Sequence, residues 1–241
     1  MLLYIVRHGI PDYEHDCITE DGVKQAEAVA KRLVRSGIDE VYSSPLNRAR
    51  QTAEPTCREL GLEMKILPFA SEVQAAKYFS VRSENFQFVW AFKNRPLFLG
   101  SDECYRNPSD FGRGYYLDDD VLAKEGARHL KEESDAFLKS LGYEKLNQGN
   151  AYRPIEDNDK RVAVFCHQGL GLHWIAYLMN LPFHLFTAGF NITHSSVSIL
   201  HFRPEKSDGL VYPMCLCLSD ISHLYAENLP MLYGNHEELR I

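Results

Sequence analysis

Apolar positions along this chain alternate between strand-length runs and helical stripes. Leu2-Leu3-Tyr4-Ile5-Val6 is a continuous apolar run that stops at Arg7, as expected of a strand buried on both faces. Thr19 then opens a helical pattern in which Val23, Ala26, Ala30, Leu33 and Val34 share a face. Glu20 and Asp21 sit favourably in its first turn and Gly37 ends it. A short strand around Val41-Tyr42 leads to Ser43-Ser44-Pro45, where Ser44 reads as an N-cap and Pro45 as the first helical residue. Ala49, Ala53, Cys57 and Leu60 continue that second helix as far as Gly61.

The same alternation resumes later. Residues 64–67 read as a third strand, and Ala123, Ala127, Leu130, Phe137 and Leu141 mark a long amphipathic helix closed by Gly142. Residues 161–166 form a near-continuous apolar strand, followed by a buried helix over 169–179 that Asn180 and Pro182 terminate. Residues 196–202 and 211–218 complete the sheet, the last carrying Pro213 and therefore expected at an edge. Residues 147–160 are polar and turn-rich and read as a loop. Strands alternating with helices predict a three-layer α/β/α sandwich with a mostly parallel sheet. Active sites in such folds lie outside the carboxyl ends of the strands. His8 follows the first strand and His167 the central one, so both are expected at that end.

Between about residues 73 and 120 the alternation breaks. This stretch holds 11 of the chain's 28 aromatic residues, among them Tyr78, Phe79, Phe86, Phe88, Trp90, Phe92 and Tyr115. It reads as an insertion in a single domain spanning residues 1–241. It is either a lid or side wall for an apolar leaving group, or a satellite cluster packed on the sheet.

Composition narrows the function classes. A formal net charge of −7 argues against a nucleic-acid binder. The N-terminal apolar stretch, about five residues, is too short for a signal h-region or a membrane span, and a cytoplasmic protein is expected. Cys17, Cys57, Cys104, Cys166, Cys215 and Cys217 show no CxxC spacing and read as reduced, mostly buried thiols. None of the ten histidines forms HxxH or HExxH, so no metal site is expected.

The chemistry starts at Arg7-His8-Gly9, which sets an imidazole on a strand tip with a guanidinium beside it. Further along stand Thr19 with Gly22 and Gln25-Ala26, then Ser43-Ser44-Pro45-Leu46-Asn47-Arg48-Ala49-Arg50-Gln51-Thr52-Ala53, then Glu72, then Cys166-His167-Gln168-Gly169. In this order they resemble the histidine phosphatase superfamily, the phosphoglycerate mutase-like group, over roughly residues 2–72 and 161–202. The resemblance implies that His8 attacks phosphorus in line and forms a phosphohistidine, in a pocket built with Arg7, Arg48 and His167. It implies that Glu72 protonates the leaving oxygen and then activates water. Thr19 matches a position near substrate and also suits a helix cap.

General chemistry agrees with this assignment. Neutral imidazole is a competent nucleophile near pH 7, and guanidinium groups suit the charge that spreads over a transferring phosphoryl group. Gln168 and Gly169 open a helix, whose free N–H groups would add to an anion site. Asp12 stands where an anion would be repelled, and is expected to point away or to meet a cationic substrate group. Arg50 should face away from Arg48, and Cys166 should pack in the core.

The expected activity is metal-independent, cofactor-free hydrolysis of a small phosphorylated metabolite, with no nucleic-acid or membrane partner. Mutase activity on a phosphoglycerate is the alternative. The insertion carries scattered Lys77, Arg82, Lys93, Arg95, Arg106 and Arg113 in place of the clustered basic segments of mutases. A non-catalytic phospho-ligand binding module is a third reading. A homodimer is left open, because the tail from Tyr225, with the apolar patch Leu229-Pro230-Met231-Leu232-Tyr233, could pack on its own subunit or on a neighbour.

Overall fold

The computed structural model describes residues 1–82, 88–93, 95, 99, 121–147, 149–156 and 158–232. Phe86, Cys104, Arg106, Arg113, Tyr115 and Tyr233 lie outside the described residues.

Strand β1 (Leu2–Arg7) is followed by a small hairpin of β2 (Pro11–Asp12) and β3 (Cys17–Ile18), helix α1 (Glu20–Ser36), β4 (Glu40–Ser43), α2 (Asn47–Leu60) and β5 (Met64–Ile66). Next come α3 (Glu72–Phe79), a hairpin of β6 (Ser80–Arg82) and β7 (Phe88–Trp90), and α4 (Val121–Ser140). The chain continues through a hairpin of β8 (Tyr143–Lys145) and β9 (Tyr152–Pro154), then β10 (Arg161–Cys166) and α5 (Gln168–Leu178). It closes with α6 (Phe183–Gly189), β11 (Val197–His201), β12 (Met214–Asp220) and α7 (Ser222–Ala226).

The main sheet has the order β12-β11-β1-β10-β4-β5. The four strands β1, β10, β4 and β5 run parallel, and β11 and β12 are antiparallel additions. Strand alternation then sorts the core into two layers. Tyr4, Val6, Ala163 and Phe165 pack with Val29 and Leu33 of α1 and Ala53 of α2. Leu3, Ile5, Val162, Val164 and Cys166 pack on the other face, with Phe137 and Leu138 of α4 and Leu172, Trp174 and Ile175 of α5. The sandwich is therefore α/β/α, with buried strands at its centre.

Several local expectations shift. In α1 the buried face is Gly22, Gln25, Ala26, Val29, Ala30 and Leu33, at helical spacing, whereas Val23 and Val34 are exposed. Hydrophobicity alone passed over Gln25, whose amide is satisfied inside. Ser44 does not cap α2, which starts at Asn47 after Leu46. The last strand begins at Met214 because Pro213 has no N–H to pair. Val211 instead makes isolated bridges to Tyr152 and Pro204, and the polar stretch 147–160 contains β9. The edge position of β12 is as expected.

The insertion is rooted in the core through its described residues. Phe79 stacks on His173 of α5 with ring centroids 3.9 Å apart, and Phe92 stacks on Trp90 at 5.3 Å. Trp90 covers Gly169 so closely that a Cβ there would stand 2.2 Å from the indole. Phe79, Ala91 and Phe92 are buried, so these described residues of the insertion pack on the core. The described part of the tail, as far as Leu232, contacts its own chain: the carbonyls of Pro230 and Leu232 accept bonds from Gln25 and Thr193.

One close approach sets the site entrance. A Cβ on Gly9 would stand 2.8 Å from the Gly22 carbonyl oxygen, and one on Gly22 would stand 2.4 Å from the Ile10 carbonyl oxygen. The turn after His8 therefore lies directly on the first turn of α1, and both contacts are with backbone that cannot rotate away. Gly22→Ala should destabilise the fold by about 1–3 kcal/mol through overpacking. Denaturant titration checks this, and an unchanged midpoint would contradict it.

Candidate active site

Register brings the two predicted histidines together. Arg7 is paired with Cys166 across the parallel β1–β10 ladder, so His8 and His167 leave adjacent strands at the same level. Their ring centroids are 5.1 Å apart, and both residues are buried.

His8 has a fixed tautomer. Its Nδ1 lies 2.7 Å from the carbonyl oxygen of Gly9; a carbonyl only accepts, so Nδ1 carries the proton and Nε2 keeps the lone pair. Burial holds the pKa of His8 well below the ordinary imidazole value, and the neighbouring His167, Arg7, His194 and Arg48 push the same way. The ring is thus neutral and nucleophilic across the physiological range. Its backbone is pinned as well: the His8 N–H donates to the Cys166 carbonyl, the Ser195 N–H donates to the His8 carbonyl, and the Gly9 N–H donates to Thr52 Oγ1.

His167 is ordered by Ser44. Ser44 Oγ accepts from the Leu46 N–H at 3.3 Å and stands 2.8 Å from His167 Nε2. If the single hydroxyl proton goes to Nε2, His167 carries its own proton on Nδ1, a buried atom with no hydrogen-bond partner in the protein. That N–H is a donor suited to a phosphoryl oxygen. Burial, followed by Arg48 and Arg7, holds the pKa of His167 well below the usual value.

The two arginines are held by different acceptors. Arg7 is 1% exposed, donating to the Ile192 carbonyl at 2.9 Å and to His194 Nε2 at 2.7 Å. The phenol of Tyr13 also hydrogen-bonds it. Arg48 pairs through Nη1 with Asp16 Oδ1 at 2.5 Å and lies 5.5 Å from the centroid of the Tyr13 ring. Asp16 Oδ2 accepts from the Asn47 N–H, so this one carboxylate caps α2 and orients Arg48. Thr52 Oγ1 donates to the Arg48 carbonyl while accepting from Gly9, which ties α2 to the nucleophile's turn.

Glu72 is the first residue of α3, and its carboxylate reaches α5. Oε1 accepts from the Gly169 N–H at 2.9 Å and Oε2 from the Leu170 N–H at 3.0 Å. Burial raises its pKa, against the pull of those two N–H groups and of Arg7 and Arg48. A carboxyl so tuned beside the pocket can serve as acid and then as base.

Some expectations move. The N–H of Gly169 goes to Glu72, so that end of α5 is occupied by the chain's own carboxylate and is not an open anion site. Gln168 donates to the Asn191 side chain. Thr19 uses its hydroxyl to accept from Gly22 and to donate to Ile10, a capping role. Asp12 turns away, bonding the N–H groups of Glu14 and His15 and the His15 ring. Arg50 is exposed, and Cys166 is buried with its thiol pushed up to about 12. Asp16, Tyr13 and His194 were not singled out from sequence. The first two lie in the turn between β2 and β3, and nothing local distinguishes His194 from a core histidine. Among the described residues no group of three or more His, Cys, Asp or Glu stands together as a metal site, and no described helix is long and apolar enough to cross a membrane.

The model of the histidine phosphatase superfamily (branch 1) matches residues 3–87. These residues belong to the histidine phosphatase superfamily. The stretch includes four of the five candidate site residues described above, Arg7, His8, Arg48 and Glu72. The "Probable phosphoglycerate mutase GpmB" of Yersinia pestis (strain Pestoides F) is 35% identical over 80 residues, which are 30% of this chain and 37% of that relative. The chain thus matches little more than a third of the length of this relative. Among solved structures, a mutant phosphoserine phosphatase of Entamoeba histolytica in complex with phosphoserine aligns with a TM-score of 0.57 at 17% identity, covering 92% of this chain and 98% of that one. A mycobacterial glucosyl-3-phosphoglycerate phosphatase aligns with a TM-score of 0.56 at 20% identity, covering 90% and 98%. The fold likeness to these two structures extends over nearly the whole chain.

Burial of neutral histidines has a measurable consequence. His173 and His223 are pushed down to about 4, chiefly by burial, and His8 and His167 are also depressed. As pH falls below about 6.5 the unfolded chain takes up these protons before the native state does. Stability present above that pH is therefore lost as it falls toward 4. Denaturant midpoints measured from pH 7 to pH 4.5 should decrease steadily, and a flat profile would count against buried neutral imidazoles.

Proposed function

We propose that this protein hydrolyses phosphomonoesters of small metabolites through a phosphohistidine on His8. The observation that carries this reading is the fixed lone pair on His8 Nε2 inside a cluster of Arg7, Arg48 and His167. In the first step Nε2 attacks phosphorus and the P–O bond to the leaving group breaks, with Glu72 giving its proton to the departing oxygen. Arg7, Arg48 and the N–H of His167 hold the equatorial oxygens as charge spreads over them. In the second step the Glu72 carboxylate takes a proton from water, the new hydroxide oxygen bonds phosphorus, and the P–N bond breaks to return neutral His8 and inorganic phosphate. Positive charge comes from side chains, so a chelator should leave turnover unchanged.

Phosphoglycerate mutase chemistry is the second reading, favoured by the likeness over 80 residues to the Yersinia relative. Both activities pass through the same phosphohistidine and differ in whether water or a second hydroxyl accepts the phosphoryl group.

Turnover of 4-nitrophenyl phosphate by wild type should vanish in His8→Ala, with a phosphohistidine trapped only in wild type. Equal rates would end the enzyme reading and leave a phospho-ligand binding module. Arg48→Ala should lower kcat/KM by about 10²–10³-fold, as loss of a preorganised charge donor does. Glu72→Gln should lower kcat by about 10²–10⁴-fold. A screen of sugar, nucleotide, amino-acid and glycerate monophosphates, run for both hydrolysis and isomerisation, separates phosphatase from mutase.

A further inference from the structure

We propose that His194 is the positioning residue of Arg7, holding its guanidinium in the phosphoryl pocket through an unprotonated Nε2. The inference rests on the phosphatase reading above and assigns a residue that reading does not use.

The argument is one of donors and acceptors. A guanidinium has N–H groups and no lone pair, so the 2.7 Å contact between Arg7 Nη2 and His194 Nε2 makes that nitrogen the acceptor. The Ile192 carbonyl takes Nη1. Both terminal nitrogens of Arg7 are thereby fixed by one short segment, residues 192–194. The segment is itself tied to the nucleophile. Ser195, turned into the left-handed region with φ 56°, donates its N–H to the His8 carbonyl, and its hydroxyl reaches Gln25. The His223 ring donates to the Ser195 carbonyl, with Arg32 on its other nitrogen. A non-glycine residue in that conformation carries strain that its surroundings must hold, and here they hold the imidazole against Arg7.

The choice of an imidazole has a chemical consequence. A carboxylate or amide oxygen at this place would still accept at mildly acidic pH. Protonated His194 would instead present N–H to N–H, and Arg7 would lose its anchor. Among the groups facing it are Arg7, the last residue of β1, and His8 just after it, the His8 ring lying 5.5 Å away. Beyond them are His167, Arg48, Tyr13 and Glu72 around the same guanidinium. Two imidazoles, His8 and His194, must then be neutral for the pocket to work.

The test compares wild type with His194→Leu, which removes the acceptor, and His194→Gln, whose amide oxygen accepts at every pH. His194→Leu should lower kcat/KM by about 10–10²-fold, the scale of a misplaced catalytic group, and weaken orthovanadate binding. His194→Gln should recover to within a few-fold of wild type near neutrality. On the acid side, log kcat/KM of wild type should fall with a slope steeper by one proton than that of His194→Gln. The proposal is overturned if His194→Leu equals wild type, if His194→Gln is no better than a folded His194→Leu, or if the acid slopes coincide. Should His194→Leu not fold, the slope comparison still decides. Wild type no more active than His8→Ala would instead sink the phosphatase reading. In that case orthovanadate affinity, which needs no turnover, tests His194 by itself, and equal affinities in wild type and a folded His194→Leu would overturn it.

Discussion

Six consecutive residue pairs, from Leu2 with Arg161 to Arg7 with Cys166, lock the two central strands in parallel register, and the reactive groups hang from the last of them. A slip of one residue would turn every side chain of β1 to the other face. Tyr4 and Val6 would leave the α1–α2 layer, Leu3 and Ile5 would leave the α4–α5 layer, and His8 would no longer meet His167. Register is therefore enforced by the whole core, and the catalytic pair inherits its precision from packing rather than from any bond of its own.

A second constraint is electrostatic. Burying two guanidinium groups beside two imidazoles is costly unless each proton finds an acceptor. The chain meets part of that demand with mixed chemistry: a carbonyl and an imidazole for the terminal nitrogens of Arg7 and a carboxylate for Nη1 of Arg48, while Arg48 Nε has no hydrogen-bond partner. Asp16 also serves the N-terminus of α2, so the helix that delivers Arg48 is stabilised by the group that orients it. The groups acting on His8 itself are cationic or neutral, His167, Arg7, His194 and Arg48, and the carboxylates of Asp16 and Glu72 stand behind them.

What could be read from sequence followed what is local. The run ending at Arg7, the Thr19 cap with its acidic first turn and the Gly37 stop each depend on a few neighbouring residues, and each stands where the pattern puts it. His8 and His167 could be joined because both follow apolar strands in an α/β alternation. Gln25, Ser44, Asp16 and His194 could not be read in this way. Their long-range partners lie 15 to 205 residues away, and each takes its meaning from a hydrogen bond that exists only after the layers have packed. Hydropathy left Gln25 out of the buried face of α1, and capping rules gave Ser44 to the wrong neighbour. Glu72 was legible through its place in a motif, while its use of the Gly169 and Leu170 amides was not.

That last contact has a mechanical meaning. Glu72 stands at the first position of α3, the element that leads into the aromatic insertion, yet its two oxygens are fastened to the first turn of α5 behind His167. Glu72, the proposed proton donor, is thus a rivet between the segment that enters the insertion and the helix that follows His167. A displacement of about 1 Å between α3 and α5 would stretch both charge-assisted hydrogen bonds at once and carry the carboxyl off the line of the departing oxygen. The seating of α3 on α5 and the proposed proton delivery by Glu72 are therefore not separately adjustable in this fold.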